Sequence, residues 1–354
     1  MAAPVVRILS AGTALPGPAV DNATLARALG LSTVFEQWID GFIGTRTRHL
    51  AVRLDTGEVG ENLADLGEEA ARAALIGAGV DAADIDLIVL GTSMPDSLMP
   101  ATVNLIADRL GIDGIPTYQL QSGCSGAMQA LDVAQQMLLS GRHRTALVIG
   151  GDVCAKHVDL AKDYSKLPPG EIVNTVLFGD GAGAAVLTTV PADGSAAAGI
   201  VLHRVLVRLT GMNKVPGQVV EWFGMGDRAE ERSALHEDFK AIEEQVPPMS
   251  VEILEELLHD LDWRREEVDY LLPPQLSVSM TGRIVAELAV PNARELSCVE
   301  YTGNTGNAVP FFQLELLLPL MEVGQRAVAI AVESSKWIKG GFVVEKVAAE
   351  AGAA

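Results

Sequence analysis

The sequence is poor in cysteine and in basic residues, and each shortage excludes a class of protein. Its three cysteines, Cys124, Cys154 and Cys298, show neither the Cys-x-x-Cys nor the His-x-Cys spacing of metal sites. We therefore expect no metal centre and no disulfide framework. Lysine and arginine number 26 against 46 aspartates and glutamates, so the net charge is −20. A chain this acidic is not expected to bind along a nucleic-acid backbone.

Long apolar segments are also missing. No run of 18 apolar residues occurs, and the first residues lack the basic region and apolar core of a secretory leader. Hydrophobic residues still make up 49% of the chain and charged residues only 20%, which is typical of a folded chain with an ample core. We expect a soluble, cytoplasmic, reduced protein that does not enter a membrane.

What the sequence does contain is an alternation of helix-like and strand-like segments. Residues 61–80, ENLADLGEEAARAALIGAGV, have apolar side chains at helical spacing, and residues 85–93, IDLIVLGTS, resemble a buried strand. Further apolar strands are predicted at 145–151 and 181–190. Strands that alternate with helices indicate an α/β protein.

The same order of segments occurs twice. Asp86 and Asp269, each placed between a helix and a strand, lie 183 residues apart, and Gly141 and Gly324 have the same offset. Any α/β chain contains weak echoes of this kind, but two blocks in one order favour duplication. We predict an N-terminal half at 1–190 that carries Cys124 and a C-terminal half at 195–354 that carries Asn304. Since those two residues lie 180 apart, we expect them at equivalent places.

Cys124 lies between glycines just before an apolar helix, in SGCSGAMQAL. A helix N-terminus carries a partial positive charge, which stabilises a thiolate and lowers its pKa. Gly123 and Gly126 permit a sharp turn, and the Cys124 N–H is a candidate donor of an oxyanion hole. The pattern indicates a nucleophile. The alternative is a small buried cysteine that packs against the helix entrance.

Several motifs resemble one family. SGCSGAMQAL, LFGDGAGAAVL (177–187), GNTGNAVP (303–310), WIDGFIGTRTRHLA (38–51) and VDYLLPPQLS (268–277) are similar to motifs of the β-ketoacyl-acyl carrier protein synthase III branch of the thiolase superfamily. The resemblance covers most of the chain in order. It implies a thiolase-like five-layer αβαβα fold made of two pseudo-symmetric halves. It also implies a homodimer, with Cys124 and Asn304 as catalytic residues near the pseudo-twofold axis.

The sequence departs from the family at its catalytic histidine. The family uses Cys, His and Asn, and its histidine stands in a stretch like PHQAN, where this chain has Pro274. Proline has no side-chain donor or base. Two substitutes are open, His157 after a predicted strand and Glu333 at the family's glycine-rich oxyanion turn. We expect the side chain of Gln275 to orient a substrate carbonyl and the N–H of about Ser334 to complete the oxyanion hole.

A second departure concerns the acyl donor. The family holds the adenine and phosphates of coenzyme A with a tryptophan and two arginines. Trp38 matches the tryptophan and is predicted to bind substrate, but Phe42 and Ile172 stand at the arginine positions in an ungapped comparison. The favoured donor is therefore an acyl carrier protein, with no bound cofactor. Such a carrier is acidic, and candidates for a local basic patch are Arg46, Arg48, Arg264, Arg265, Lys336 and Lys339.

Three functions remain open. The favoured one is a polyketide- or fatty-acid-type acyltransferase or condensing enzyme, acylated on Cys124 from a carrier protein. It passes the acyl group to a small-molecule oxygen, nitrogen or already acidic carbon nucleophile without decarboxylation by His and Asn. The family includes tetronate-type ring formation among such reactions. The alternatives are a decarboxylating synthase with a substitute for the histidine, and a non-catalytic subunit of a heterodimer. Residues 215–228 are a candidate tunnel lining.

Overall fold

The computed structural model describes residues 4–167, 169–190, 199–221 and 235–348. No helix in these ranges is both long enough and apolar enough to cross a membrane. The predicted tunnel segment 215–228 lies partly outside the described residues, as does the predicted joint between the halves. The boundaries 1–190 and 195–354 therefore stay predictions.

The helices and strands alternate along the chain as the sequence predicts. The helices are α1 (Asn22–Ala28), α2 (Thr33–Trp38), α3 (Leu63–Ala78), α4 (Thr102–Leu110), α5 (Gly126–Leu139), α6 (Pro169–Leu177), α7 (Phe239–Asp260), α8 (Val278–Leu288), α9 (Val299–Thr302) and α10 (Val309–Leu317). The strands are β1 (Val5–Ala14), β2 (Val20–Asp21), β3 (Thr47–Arg48), β4 (Leu87–Thr92), β5 (Thr117–Gln121), β6 (Thr145–Asp152), β7 (Gly181–Val190), β8 (Gly199–Leu209), β9 (Gln218–Val220), β10 (Leu235–Glu237), β11 (Tyr270–Leu272), β12 (Arg294–Glu295), β13 (Arg326–Glu333) and β14 (Ile338–Val347).

Ten strands form one hydrogen-bonded sheet, in which each half contributes five strands in the same arrangement. The order is β12-β11-β13-β14-β8-β1-β7-β6-β4-β5, so the first strand of each half, β1 or β8, lies at the centre. In the first half, the second strand of the sheet, β4, pairs in parallel with the third, β5, and the fourth, β6, and the fifth, β7, runs antiparallel between β6 and β1. In the second half, β11 to β14 and β8 have the same arrangement. This internal symmetry is what the sequence repeat predicts.

The apolar side chains form three cores. The central core surrounds α5 and α10, which lie between the strands of the first half and those of the second, and one further core covers the outer face of each set of strands. In β4, Leu87 and Val89 pack into the central core with α5 and α10, while Ile88 and Leu90 pack against α3 and α4 on the other face. The central core also takes residues from β11, β13 and β14. A third core joins the outer face of these strands to α7 and α8. The predicted αβαβα layering is confirmed.

The repeated aspartates have the same structural task in both halves. Asp86 accepts hydrogen bonds from the backbone N–H groups of Arg144 (2.8 Å) and Thr145 (3.2 Å), at the start of β6. Asp269 accepts one from the N–H of Arg326 (2.8 Å), which begins β13. Each carboxylate therefore fixes where the fourth strand of its half begins, because it pairs N–H groups that the sheet leaves open there.

Candidate active site

A cavity of about 580 Å³ opens beside the turn that carries Cys124. Its wall includes Cys124, Asn304, Pro274 and Ser334, which come from distant parts of both halves. Neither Cys154 nor Cys298 is among the described residues that line it. The cavity, rather than any property of the thiols themselves, distinguishes Cys124 from the other two.

The turn with Cys124 connects β5 to α5. Gly123 has a φ of +50°, which a residue with a side chain rarely adopts. A short 3-10 turn, Gly123–Ser125, follows, and α5 begins at Gly126. Gly91 on β4 lies so close that a Cβ there would overlap the backbone of Gly126. The glycines thus let the start of α5 press against the sheet and leave Cys124 at the cavity wall.

A buried amide and a buried carboxylate hold this turn in place. Asn307 donates its Nδ2 to Gly123 O (3.0 Å) and to Asp152 Oδ2 (2.8 Å), and its Oδ1 accepts the N–H of Ala127 (2.8 Å). Asp152 accepts in addition from the N–H (2.7 Å) and the hydroxyl (2.9 Å) of Ser93. Asn307 and Asp152 thereby join the two halves directly beneath Cys124.

The structural counterpart of Cys124 is Asn307 and not Asn304, so the predicted equivalence of Cys124 and Asn304 is wrong. The 3-10 turn Gly306–Ala308 precedes α10 just as Gly123–Ser125 precedes α5. These turns lie 183 residues apart, the offset of the other repeated positions. Asn304 stands three residues earlier.

Asn304 nevertheless faces the cavity. Its backbone pairs with the chain after α6, through the N–H to Leu177 O (3.0 Å) and the carbonyl to the N–H of Gly179 (3.1 Å). Its Oδ1 accepts the N–H of Gly306 (3.0 Å). The amide is therefore oriented, and no acceptor among the described residues engages its Nδ2. That N–H group is available to a substrate oxygen.

Contrary to our expectation, the surroundings of Cys124 disfavour its thiolate. Burial raises the pKa of Cys124 well above its usual value, and the carboxylates of Glu333, Asp152 and Glu237 raise it further. Burial also raises the pKa of Cys154 well above its usual value and that of Cys298 to about 11. The helix N-terminus is outweighed here, because desolvation and negative charge both penalise the anion.

Glu333 is buried directly beneath the Cys124 turn. A Cβ at Gly123 would overlap its carboxylate. Its Oε1 accepts the N–H of Ser335 and its Oε2 that of Lys336 (3.3 Å), while burial raises its pKa. Both oxygens are thus engaged in closing the turn after β13. The following residue, Ser334, lines the cavity, where its N–H remains a predicted oxyanion donor.

Pro274 and Gln275 both border the cavity, but the Gln275 side chain is engaged within the fold. Its Oε1 accepts the N–H groups of Cys298 (2.9 Å) and Val299 (2.8 Å), at the start of α9. Its Nε2 is directed to Leu296 O at 3.5 Å. Gln275 holds α9 in place, and a contact with substrate stays a prediction. Among the described residues that line the cavity there is no histidine, so His157 is not brought to the site.

The aromatic side chains at the cavity entrance agree only partly with the sequence comparison. Trp38 lines the cavity and stacks on Phe42, with ring centroids 5.7 Å apart. Phe42 is 61% exposed and offers a flat apolar surface. Ile172 is buried, and its neighbour Val173 lines the cavity instead. Ile172 is therefore not among the described residues that line the cavity.

Two of the six basic residues considered for a docking patch are buried. Arg48 donates to Asn22 Oδ1 (2.6 Å) and Val176 O (3.0 Å), and burial lowers its pKa to about 10. Lys339 forms ion pairs with two glutamates of α7. These two were wrong candidates, because their charges are used inside the fold. Arg283 on α8 lines the cavity and was missed, since nothing in the sequence sets it apart.

Glu237 is the second residue that sequence reasoning missed. It ends β10 and lines the same cavity as Cys124. Its Oε1 accepts a hydrogen bond from Nε2 of Gln218 on the paired strand β9, and burial raises its pKa to about 7. Only the pairing of β9 with β10 brings this carboxyl to the site, and two strands of three residues give no periodic signal.

Comparison with known proteins places this geometry in a family. Residues 118–204 match the family described as 3-oxoacyl-[acyl-carrier-protein (ACP)] synthase III. The chain is 33% identical, over 311 residues, to the β-ketoacyl-[acyl-carrier-protein] synthase III of Novosphingobium aromaticivorans. That alignment covers 85% of this chain and 86% of the relative. The chain belongs to the β-ketoacyl-[acyl-carrier-protein] synthase III family.

Solved structures extend this assignment. A structure titled "AbyA1 - tetronic acid condensing enzyme" is 56% identical, covers 96% of this chain and 99% of its own, and superposes with a TM-score of 0.91. The priming β-ketosynthase from the R1128 polyketide biosynthetic pathway is 26% identical, covers 98% of each chain and gives a TM-score of 0.80. The resemblance and the thiolase-like fold predicted from the sequence are confirmed, and the chain is a ketosynthase III-like condensing enzyme.

Proposed function

We propose that this synthase III-like enzyme forms a tetronic acid ring. In this reaction Cys124 carries an acyl group taken from a carrier protein and transfers it without decarboxylation. The observation that carries the proposal is the cavity itself, which is lined by Cys124, Asn304 and Pro274. The sequence resemblance assigns Pro274 to the position of the family's histidine. The likeness to a tetronic acid condensing enzyme over nearly the whole chain supports the same reaction.

The chemistry of the ring explains why decarboxylation is not needed. A tetronic acid is a five-membered lactone whose ring oxygen and enol carbon are joined through one carbon. A 2-hydroxyacyl thioester and a 3-ketoacyl thioester supply all of its ring atoms. The α-carbon of the ketoacyl group lies between two carbonyls, so it is already acidic. It forms the carbon–carbon bond by displacing Cys124, and the hydroxyl then displaces the carrier thiol to close the lactone.

The donors at the site suit this reaction better than a decarboxylation. A decarboxylating synthase stabilises the enolate oxygen with two donors, one from His and one from Asn. Here Pro274 supplies none, and Nδ2 of Asn304 is the side-chain donor that remains. Loss of one preorganised donor costs on the order of 10²–10³ in rate. The ketoacyl nucleophile tolerates this loss because its second carbonyl delocalises the charge.

An acyl carrier protein is the proposed donor. Phe42, which the sequence resemblance assigns to one of the family's coenzyme A-binding arginine positions, is exposed and lines the cavity. Arg283 offers one cation to the phosphate that links a pantetheine arm to its carrier. We expect carrier-bound acyl groups to load Cys124 much faster than the same acyl-coenzyme A. Equal loading rates at equal concentrations, followed by intact mass, would contradict this.

A homodimer is the proposed assembly. Leu98 and Met99 are 74% and 86% exposed at the tip of a loop that Lys156 anchors through Met94 O (3.0 Å) and Pro95 O (2.7 Å). Apolar side chains displayed on an anchored loop are typical of an interface. Light scattering at micromolar concentration tests this, and a monomer would contradict it.

The test of the reaction supplies both thioesters. The protein is incubated with a 2-hydroxyacyl-carrier protein and a 3-ketoacyl-carrier protein, and the small-molecule product is identified by mass spectrometry. We expect a tetronate, free carrier thiols and no CO₂. Cys124→Ala serves as the control and should form no product.

A second incubation separates this reaction from the decarboxylating alternative. Malonyl-carrier protein replaces the ketoacyl substrate, and release of labelled CO₂ is followed beside Cys124 acylation. Rapid CO₂ release together with a new 3-ketoacyl product would replace the proposed reaction by that of a decarboxylating synthase. Acylation of Cys124 without any tetronate would limit the proposal to acyl transfer.

A further inference from the structure

Three carboxylates raise the pKa of the Cys124 thiol, and two of them have both oxygens hydrogen-bonded within the fold. Asp152 has both oxygens engaged, by Ser93 on one side and by Asn307 on the other. Both carboxylate oxygens of Glu333 accept hydrogen bonds from backbone N–H groups of the turn after β13. Neither can exchange a proton with a substrate without the Cys124 turn losing a support.

The third carboxylate, Glu237, has a different environment. It lines the cavity with Cys124 and Asn304, and Gln218 holds its Oε1. Oε2 is buried and accepts no hydrogen bond of normal geometry from the described residues. The side chain of Asn174 on α6 lies beside the carboxyl and lowers its pKa by less than burial raises it. A buried carboxylate oxygen without a donor has a high affinity for a proton. The carboxyl is therefore positioned by Gln218 and Asn174 and is still able to titrate.

We propose that Glu237 is the general base of the condensation, which takes the proton from the α-carbon of the ketoacyl substrate. This inference rests on the proposed function, because it assigns the base for that same nucleophile. Its geometric support is the shared cavity wall, which includes Cys124, Asn304 and Glu237, and the nearness of the Glu237 carboxylate to the thiol, whose pKa it raises.

The step balances without any further reactant. The Glu237 carboxylate removes one proton from the α-carbon, and the resulting enolate attacks the thioester carbonyl on Cys124. The carbon–carbon bond forms as the carbon–sulfur bond breaks. The sulfur then takes the proton back from Glu237, because the Cys124 thiol holds its proton far above neutral pH. Both groups return to their starting forms.

The proton affinity of Glu237 matches this role. Burial raises its pKa to about 7, where a base is both partly ionised and strong enough to remove an acidic proton. The other charged side chains of the described cavity wall are Glu243 on α7 and Arg283 on α8. We expect the condensation rate to rise with pH up to about 7 and then to level off.

The test follows the proton directly. Exchange of the α-hydrogens of a 3-ketoacyl-carrier protein in deuterated buffer is measured by rapid quenching, as the excess over the buffer rate. Cys124→Ala is the reference, since it cannot be acylated. We expect this protein to catalyse exchange and Cys124→Ala/Glu237→Gln to lose it at least 100-fold. Glu237→Asp should retain the pH profile at a lower rate.

The control is Glu244→Gln, which removes an exposed carboxylate that faces Lys240 one turn along α7. It should leave exchange unchanged. Exchange that persists after Glu237→Gln, or that is absent from the Cys124→Ala protein, would overturn the assignment. Exchange that depends on Glu237 in an enzyme that yields no tetronate would retain the base and refute the proposed reaction. A circular dichroism spectrum and a denaturation midpoint like those of the wild type show that Glu237→Gln is folded.

Discussion

The two turns that precede the inner helices have the same architecture and opposite tasks. In the first half, Gly123–Ser125 places Cys124 on the cavity wall before α5. In the second half, Gly306–Ala308 places Asn307 at the same point before α10, but its side chain crosses to the first half and binds Gly123 O and Asp152. One copy of the repeated turn carries the proposed nucleophile, and the other holds that turn in place.

This division shows why the repeat alone misled about the partner of Cys124. A duplicated backbone puts equivalent positions near the axis, but only side-chain chemistry decides which of them faces the cavity. The amide of Asn307 is used up by three hydrogen bonds, so the position three residues earlier, Asn304, takes over the contact with the cavity.

The largest effect is expected from removal of the Cys124 thiol. Cys124→Ala is expected to abolish acylation by carrier-protein thioesters, because only this thiol opens onto the described cavity wall. Intact mass spectrometry measures the acyl adduct. Cys154→Ala and Cys298→Ala are matched controls and should be acylated like the wild type. An adduct on the Cys124→Ala protein would show that the nucleophile lies elsewhere.

The second-largest effect is expected from adding a side-chain hydrogen-bond donor at position 274, where proline has none. Pro274→His should raise CO₂ release from malonyl-carrier protein by on the order of 10²–10³, since it restores a second donor to the enolate oxygen. Release of labelled CO₂ by wild type and variant is compared beside Cys124 loading. A wild type that is already fast would mean that another residue performs the histidine's task.

The role of Asn307 in holding the Cys124 turn is tested by Asn307→Ala. This change removes the amide donor to Asp152 Oδ2, which keeps only the backbone N–H of residue 307, and it removes the side-chain partners of Gly123 O and the Ala127 N–H. It is expected to lower the free energy of unfolding by about 3 kcal/mol. Denaturant titration measures the loss. Asn292→Ala removes a single hydrogen bond to Glu266 O from an exposed amide and should stay within about 0.5 kcal/mol of the wild type. Similar losses in the free energy of unfolding for both variants would show that Asn307 does not hold the turn.

The smallest effect concerns the charge beneath the first turn. Glu333→Gln removes the charged side chain that contributes most, after burial, to raising the pKa of Cys124. The thiolate should therefore form at lower pH, and alkylation by iodoacetamide at pH 8 should accelerate by roughly threefold to tenfold. The matched control is Glu322→Gln, at an exposed site. An unchanged alkylation profile would show that burial alone sets the pKa.

Much of the fold and part of the site follow from the sequence. Apolar periodicity and the spacing of Asp86 and Asp269 predict layers and a repeat because both depend on local pattern and backbone pairing. The motifs around Cys124 and Asn304 are likewise local, and the structure brings both residues to one cavity. Their catalytic roles stay predictions.

What the sequence did not reveal depends on contacts between distant segments. The pKa of Cys124 is raised by burial and by carboxylates from three other segments, which the helix N-terminus cannot offset. The burial of Arg48 results from packing against α6, which the charge of an arginine does not suggest. Glu237 reaches the cavity only through the pairing of β9 and β10.

The bridge between Asp152 and Asn307 also sets an order of assembly during synthesis. The two residues lie 155 positions apart, a gap that a ribosome crosses in roughly 10–30 s. Until then the carboxylate has its first-half donors but not the Asn307 amide, and α5 lacks its contacts with β14. A nascent first half therefore holds its cysteine on an unfinished support. We expect competence for the proposed acylation of Cys124 to arise late, after α10 has left the ribosome.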